Sequence, residues 1–545
     1  MAFLFRGPLP FYIIYWLMVS FIPLFGASVF ETNDDISMRA LADGTYLGFS
    51  TSQLVFSSPI WGKLLQTLYM ASNQIDWYST LFFIFISVSL FLIMHYMFIM
   101  YSNVWTRLLI FSSIILLFNY SIFYVNFTIV ASISCLAALV LLQGYFQGEI
   151  KGSGWLLTAI VLLLTGASIR FSAFLLILIL YFIGILTFRL KNYKLSYVYV
   201  ALIAFTIGVF VFFINSLHYR YSSKEWQSYT NLLKEKRWFQ DNQGLSYHPI
   251  PAGWNDCDVT SLQMFYYENH PKFSADSLKA IRSLYPAFEV VPGKLSSTFR
   301  DTLHGRGLIF TFTMILFLLV FSLQLEYRNR LRHFFFVLSS FLLMVLVALY
   351  IKMPFRVYFS IMATVWIFSL LEGRWRWKSF FGLPLKQVGC LVLMLLSFSI
   401  YVKDFYGNRK TYDRISNDMG KLEKSLAILP SDATIIGGEK YWSYLDYRLF
   451  IPAKEHDIYQ RFYFQNWLIQ MPLNEQKAVD IGLVSQKYEP AYYALINNHK
   501  AYILSDARKA EILKCYLQNT YGKPVQVLMR QCIENTSGFY QVTSP

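Results

Sequence analysis

The chain alternates long apolar runs with polar segments, and the apolar runs have the length of membrane-spanning helices. Helices of about 18–22 apolar residues cross the hydrocarbon core of a bilayer. The pattern therefore predicts a mostly α-helical bundle of about eleven transmembrane helices. The first run is too long for a cleaved signal peptide, and we expect it to remain as the first helix. The runs lie at 11–30, 78–100, 107–124, 127–143, 155–170, 171–188, 196–216, 307–324, 333–351, 355–371 and 387–402.

The distribution of Lys and Arg indicates the orientation of this bundle. If the N-terminus is cytoplasmic, the loops at 188–194, 326–333 and 372–378 are cytoplasmic too, and all three are short and rich in Lys and Arg. Such an excess is what the positive-inside rule requires. The three long polar regions, 31–77, 217–306 and the part after 403, then lie on the extracytoplasmic side. We expect a multi-pass protein of a bacterial inner (plasma) membrane, with a cytoplasmic N-terminus and an extracytoplasmic C-terminus.

The C-terminal part has the composition of a soluble domain. The stretches at 432–438, 500–505 and 525–530 are typical of strands, and a helix at 506–519 begins with Asp506 as its cap. We expect a small extracytoplasmic α/β domain at 403–545. The transmembrane domain, 1–402, then includes two outer loops at 31–77 and 217–306. Cys515 and Cys532 both lie in the C-terminal domain, where they either pair in an oxidising compartment or remain two thiols.

Composition excludes several classes of protein. The chain is 56% hydrophobic and only 14% charged, against roughly a quarter charged in soluble domains. The balance of 47 Lys and Arg against 32 Asp and Glu is explained by membrane topology, and no nucleic-acid recognition fold is visible. No phosphate-binding GxxxxGK[ST] loop, HExxH helix or CxxC pair occurs, so the sequence gives no sign of an ATPase motor or a zinc site.

An acidic pair follows the first apolar run directly, in the stretch ETNDDISMRALADG at 31–44. Carboxylates this close to a bilayer are costly unless water or function holds them there. Asp34 and Asp35, preceded by Asn33, are candidates for accepting a proton from an attacking hydroxyl or for holding a divalent cation. The alternative is a solvated helix start, capped and ending near Gly44. Both interpretations can hold, because a cap fixes where the neighbouring Asp points.

Two further features accompany the pair. The stretch PIWGKLLQTLYM at 59–70 has apolar residues at helical spacing, which is typical of a helix lying in the membrane interface. Cations also occur at the outer ends of the predicted helices, against the positive-inside bias. They indicate an anionic ligand, although lipid headgroups would satisfy them as well. These cations are Arg170, Lys352, Arg356, Arg300, His304 and Arg306.

A second acidic group lies in the large outer loop, at Asn255, Asp256 and Asp258. Its oxygens, or those of Asp35, are possible ligands of Mg²⁺ or Mn²⁺, and a divalent cation is the one cofactor that the sequence suggests. The alternative is an Asx-rich surface turn, which we favour.

The order of these features resembles the GT-C superfamily of integral-membrane glycosyltransferases. Its members include protein mannosyltransferases, oligosaccharyltransferase catalytic subunits and lipid A aminoarabinose transferases. The resemblance covers most of the chain as architecture: a first helix, an outer loop with interfacial helices, about ten further crossings and an outer C-terminal domain. As a motif it covers only 31–39.

The resemblance implies a polyprenyl-phosphate-linked sugar as donor, and a lipid, glycan or protein acceptor on the extracytoplasmic face. It also implies that an acid of the first outer loop is the catalytic base, here Asp34 or Asp35, with a slight preference for Asp35. Arg170, Lys352 and Arg356 would neutralise the departing phosphate. Further substrate contacts would come from Asn33, Arg300, His304 and Arg306.

Two other functions compete with this one. An O-antigen ligase or polymerase also has about a dozen crossings, but it relies on Arg and His of a late outer loop. A lipid or sugar transporter predicts charges at mid-helix depth and inverted repeats, and the sequence shows neither.

Overall fold

The computed structural model describes residues 7–189, 195–220, 223–242, 253–263, 270–284, 294–322, 327–350, 353–372, 383–437, 445–452, 458–464, 468–534 and 537–543. Most of them are helical. The helices are α1 (Leu9–Phe25), α2 (Asn33–Asp43), α3 (Pro59–Ala71), α4 (Trp77–Met100), α5 (Val104–Ile122), α6 (Phe127–Phe146), α7 (Ser153–Ile169), α8 (Phe171–Arg189), α9 (Leu195–Arg220), α10 (Lys224–Asn242), α11 (Asp256–Gln263), α12 (Ala275–Ser283), α13 (Lys294–Leu303), α14 (Arg306–Ser322), α15 (Tyr327–Tyr350), α16 (Phe355–Glu372), α17 (Leu383–Leu426), α18 (Pro472–Asp480), α19 (Ala491–Asn497) and α20 (Ala507–Tyr521). The strands are β1 (Val29–Phe30), β2 (Tyr124–Val125), β3 (Thr434–Gly437), β4 (Phe462–Phe464), β5 (Ala501–Asp506), β6 (Gln526–Glu534) and β7 (Ser537–Thr543).

The apolar helices form one bundle, as the hydrophobic pattern predicts. Among the described residues, seven helices are long and apolar enough to cross a membrane: α4, α5, α6, α8, α9, α15 and α17. Four shorter apolar helices, α1, α7, α14 and α16, coincide with the remaining predicted runs. The apolar stretch of α6 is entirely buried, whereas those of α9, α15 and α17 are mostly exposed. Helix α6 is therefore central, and the exposed apolar faces of the outer helices suit contact with lipid.

Helix α17 joins the bundle to the C-terminal sheet. It has 44 residues, which corresponds to about 66 Å at 1.5 Å per residue. The predicted domain boundary after 402 falls inside this continuous helix. The first strand of the C-terminal sheet begins only at Thr434.

The C-terminal part contains a five-stranded mixed sheet in the order β4-β3-β5-β7-β6. Strand β3 runs parallel to both β4 and β5, and β7 runs antiparallel to β5 and β6. The side chain of Asp506 caps α20 by accepting from the backbone amide of Lys509 at 3.0 Å. The predicted strands, the capped helix and the α/β character of this part are confirmed.

Helices α10–α12 from the large outer loop share a hydrophobic core with this sheet. Leu232 and Leu278 belong to the same buried cluster as Ile436 and Leu513. A disulfide between Cys257 and Cys515 joins α11 to α20. The suggested pairing of Cys515 with Cys532 is therefore wrong. A pairing 258 residues apart in sequence depends on this shared core, which neither segment reveals alone.

Candidate functional site

Backbone hydrogen bonds on both sides of strand β1 position the acidic pair. Strand β1 pairs in parallel with β2, with Val29 opposite Tyr124 and Phe30 opposite Val125. On its other side, the backbone amide of Phe30 donates to the carbonyl of Tyr447 at 2.7 Å. The chain that leads into α2 is therefore held between the α5–α6 junction and the C-terminal part.

Helix α2 carries the acids in its first turn, as its cap signals predict. Thr32 is the N-cap in an extended conformation, and Gly44 ends the helix with a left-handed φ of 84°. A side chain at Gly44 would meet the backbone of Phe49 at 2.8 Å, so only glycine fits there. Asp34 and Asp35 lie at the positive end of the helix dipole, which favours their negative charge.

Asp35 is fully buried, and its carboxylate accepts four hydrogen bonds. Burial raises the pKa of Asp35 to about 8, and hydrogen bonds from Thr32 and Phe127 oppose that rise. Both oxygens of this buried carboxyl accept hydrogen bonds, and Asp35 thereby holds α2 against α4 and the start of α6. The donors are the Thr32 hydroxyl at 2.8 Å, the Asn126 side-chain amide at 3.1 Å, the Phe127 backbone amide at 3.0 Å and the Tyr78 hydroxyl at 3.2 Å.

Asp34 has a different environment from its neighbour. It is partly exposed. Burial raises the pKa of Tyr447, and the negative charge of Asp34 raises it further. The same charge also favours a higher pKa of Lys236. Asp34 is therefore the more accessible of the two carboxyls, and the slight preference for Asp35 as the reactive acid stays a prediction.

Lys236 of α10 lies close enough to Asp34 for their charges to interact, and no sequence signal selects it. Its side chain is 1% exposed. Burial, and then the adjacent charge of Arg237, lowers the pKa of Lys236 well below its usual value, and Asp34 opposes this. In the sequence KEKR at 234–237 looks like an ordinary solvated helix face. Only the packing of α10 separates Lys236 from the exposed Lys234.

Arg170 and Arg237 lie on the same aromatic ring. The guanidinium of Arg170 is 5.3 Å from the ring centre of Phe56 and 4.9 Å from that of Phe127. Arg237 lies 5.1 Å from the Phe56 ring. The backbone amide of Phe127 donates to Asp35, so these cations lie next to the acids. We call Arg170, Lys236 and Arg237 together the α10 cation group.

A second set of charges lies around Glu31. Burial raises the pKa of Glu31, and the charges of Arg356 and Arg306 oppose that rise. The positive charge of Arg356 also opposes the raised pKa of Asp35. Arg306 lies over the ring of Tyr124 at 3.0 Å. The structure therefore brings the predicted cations Arg306 and Arg356 to the acids, together with a Glu that the sequence did not single out.

A cavity of about 600 Å³ opens beside this second set. Within the described part of the chain, Oε2 of Glu31 is buried and has no hydrogen-bond partner. The lining also comes from the part of α17 that continues beyond the apolar run. We call this space the Glu31 cavity; its lining includes Glu31, Tyr124, Arg306, Arg414, Asp418 and Tyr447.

The remaining candidates lie elsewhere. Arg300 and His304 are exposed at the end of α13, outside the contacts described above. Asn33 is the partly exposed first residue of α2. Lys352 lies outside the described residues.

The second acidic group is a structural turn, which confirms the interpretation that we favoured. The backbone amide of Asn255 donates to Asp258 at 2.9 Å, and the Asp258 amide donates back to the Asn255 side chain at 3.0 Å. Lys272 also contacts the Asp258 carboxylate at 2.7 Å. Asp256 is exposed next to the disulfide-bonded Cys257.

The suggested divalent cation does not fit these residues. Asp35 already accepts four hydrogen bonds, and the ammonium group of Lys272 already donates to the carboxylate of Asp258. Across the described ranges, no group of three or more His, Cys, Asp or Glu side chains is arranged to hold a metal ion. We derive no step through a metal.

The fold and site together define a polytopic helical protein with a reachable carboxyl between two sets of cations. No protein-family model matches the sequence, and no curated protein matches it. Solved structures are similar at low identity. The oligosaccharyltransferase of Archaeoglobus fulgidus in the apo form has a TM-score of 0.41 at 12% identity, covering 80% of this chain and 64% of its own. The same enzyme, AglB, in complex with an inhibitory peptide and a dolichol-phosphate has a TM-score of 0.43 at 11% identity, with coverages of 93% and 70%.

ArnT from Cupriavidus metallidurans, bound to undecaprenyl phosphate, is similar over almost the whole of both chains. Its TM-score is 0.37 at 11% identity, with coverages of 98% and 97%. The present chain thus spans somewhat less than two thirds of the apo oligosaccharyltransferase and nearly all of ArnT.

Proposed function

We propose that this protein is a membrane glycosyltransferase of the GT-C type. It moves a sugar from a polyprenyl-phosphate-linked donor to a lipid, glycan or protein acceptor on the extracytoplasmic face. The observation that carries the proposal is the position of Asp34: it is partly exposed, beside a buried Lys236, at one end of an apolar helix bundle. A lipid-linked anion reaches such a place from the bilayer.

The reaction is a single displacement at the anomeric carbon. Asp34 accepts the proton of the acceptor hydroxyl as the acceptor oxygen bonds to that carbon. The bond from the anomeric carbon to the phosphate oxygen breaks, and the lipid phosphate leaves with the bonding electrons. Cations close to the departing oxygens stabilise this charge. One displacement inverts the anomeric configuration.

The two sets of cations suit different substrates. The α10 cation group presents the guanidinium groups of Arg170 and Arg237 to a phosphate, and Lys236 is buried next to Arg237 in the chain. The Glu31 cavity has carboxylates that accept from hydroxyls and the rings of Tyr124 and Tyr447 for stacking, which matches a sugar-bearing acceptor. We therefore assign the donor phosphate to the α10 cation group and the acceptor to the Glu31 cavity.

The disulfide supports an extracytoplasmic position for the C-terminal part. Disulfides persist in oxidising compartments such as the bacterial periplasm. The Cys257–Cys515 bond joins the large outer loop to the C-terminal part, so both lie on the same side. This agrees with the orientation predicted from Lys and Arg.

The test is donor turnover by the purified protein with a panel of radiolabelled polyprenyl-phosphate sugars. Asp34→Asn is expected to reduce turnover by about 10²–10⁴-fold, the usual contribution of a general base. Asp480→Asn, an exposed acid of α18, is the matched control and should retain full turnover. Unchanged turnover in Asp34→Asn would remove Asp34 from the mechanism. Loss in Arg300→Gln or His304→Gln alone would favour the ligase alternative.

A further inference from the structure

A second cavity, of about 520 Å³, lies between α14 and α15. Its walls are mostly apolar: Leu318 and Leu319 come from α14, and Leu331 and Phe334 come from α15. Among the described residues of its lining, Arg330 carries a positive charge, and none takes part in the proposed reaction.

The cavity is far from the Glu31 cavity along the same helix. Arg306, at the start of α14, lines the Glu31 cavity, and Leu318 follows twelve residues later. At 1.5 Å per residue the two positions are about 18 Å apart along the helix axis. Arg330 lies three residues before the apolar run of α15, which begins at 333. Arg330 therefore lies at the opposite edge of the apolar bundle from Arg306.

The walls of the cavity are fixed on one side and open on the other. His333, buried in the lining, forms a hydrogen bond of 2.8 Å with the Ser369 hydroxyl of α16, which holds α15 in place. Leu319 and Phe334 are 53% and 59% exposed. In a bundle of membrane-spanning helices, such exposed apolar side chains face lipid. The cavity is thus an indentation open to the bilayer.

We propose that this cavity binds an anionic phospholipid of the cytoplasmic leaflet. One acyl chain lies along Leu318, Leu319 and Phe334, and the phosphate pairs with Arg330. The charge complementarity supports this occupant: the sequence at 326–333 has arginines at 328, 330 and 332, and basic pockets between helices on the cytoplasmic side bind anionic headgroups. The proposal does not depend on the proposed transfer reaction.

Native mass spectrometry of the full chain, released from detergent micelles, measures this binding. The protein is titrated with phosphatidylglycerol and, separately, with phosphatidylcholine of the same acyl composition. Wild type is expected to bind phosphatidylglycerol about fivefold more tightly, which corresponds to about 1 kcal/mol for one favourable cation near an anionic headgroup. Arg330→Gln should abolish this preference. Arg332→Gln, on the same helix but outside the cavity lining, is the matched control and should retain it.

A second variant tests the apolar part of the site. Leu318→Trp fills the cavity, and it should weaken the binding of both lipids while leaving Arg330 in place. Equal affinity of wild type for both lipids would overturn the proposal. So would an equal loss in Arg330→Gln and Arg332→Gln, which would indicate unspecific attraction. Displacement of phosphatidylglycerol by undecaprenyl phosphate at a lower concentration would assign the cavity to a different lipid.

Discussion

Asp34 and Asp35 are adjacent in sequence but differ in burial, so replacing each of them should have a different effect. Replacing Asp35 by Ala should destabilise the fold, whereas replacing Asp34 by Asn should abolish sugar transfer and leave the fold intact. The reason is burial: Asp35 is 0% exposed and accepts four hydrogen bonds, while Asp34 is partly exposed.

The cost of Asp35→Ala follows from the donors that it leaves behind. The Asn126 side-chain amide still donates to the Thr32 hydroxyl oxygen at 3.2 Å, and Thr32 is partly exposed, so its hydroxyl can donate to water. The Tyr78 hydroxyl and the Phe127 backbone amide lose the carboxylate and lie in a buried region. Each unsatisfied buried donor costs about 1–3 kcal/mol, which gives about 2–6 kcal/mol in total. Asp34→Asn keeps the size of a partly exposed side chain, and we expect a change of about 0.5 kcal/mol or less.

Equilibrium unfolding in mixed micelles, titrated with sodium dodecyl sulfate and followed by tryptophan fluorescence, gives the free energy of unfolding. Donor turnover is measured on the same preparations. Asp35→Asn is the intermediate control, because it keeps one acceptor oxygen and turns the other into a donor facing donors. The reasoning is refuted if Asp35→Ala unfolds at the wild-type detergent fraction, or if Asp34→Asn destabilises the protein as much as Asp35→Ala does.

Three further predictions concern the site and the contacts that hold it in place. Arg237→Gln should weaken binding of a polyprenyl-phosphate donor by about 10- to 100-fold, because it removes one charge-assisted contact, and Lys234→Gln, which removes another exposed cation of α10, should not; donor titration with each variant decides this. Replacing both Cys257 and Cys515 by Ser should lower the free energy of unfolding of the outer part by about 2–4 kcal/mol, measured by limited proteolysis against denaturant. Because the pKa of Asp35 is raised to about 8, its stabilising contribution is complete below its ordinary pKa and is lost as the pH rises through 8. The unfolding free energy of wild type should therefore fall between about pH 4 and pH 8, and it should fall by less in Asp35→Asn.

Local signals in the sequence predicted the elements that carry the site. The capped start and glycine end of α2, the helix at 59–70 and the capped α20 depend on residues within a few positions of each other. The apolar runs likewise located each helix of the bundle, since their length alone distinguishes them from strands.

The functional assignment within those elements was beyond the sequence. Apart from the nearby Thr32, the donors that enclose Asp35 are Tyr78, Asn126 and Phe127, which lie 43 to 92 residues further along the chain. No property of the dipeptide shows which carboxyl is enclosed. The same limit applies to the disulfide, where two polar segments reveal their common core only after folding.

The first outer loop is bound to the C-terminal part as firmly as to the bundle. Arg39 of α2 is 1% exposed, and it donates to the carbonyls of Asp446 and Arg448, each at 2.9 Å. Its charge is balanced by Asp76 at 3.7 Å, so the guanidinium joins the start of α4 to the C-terminal part. A buried charge is tolerated only when its donors are satisfied. Any displacement of the C-terminal part would therefore strip Arg39 of two partners and shift α2 with it. The position of Asp34 depends on residues that lie more than 400 positions away in the chain.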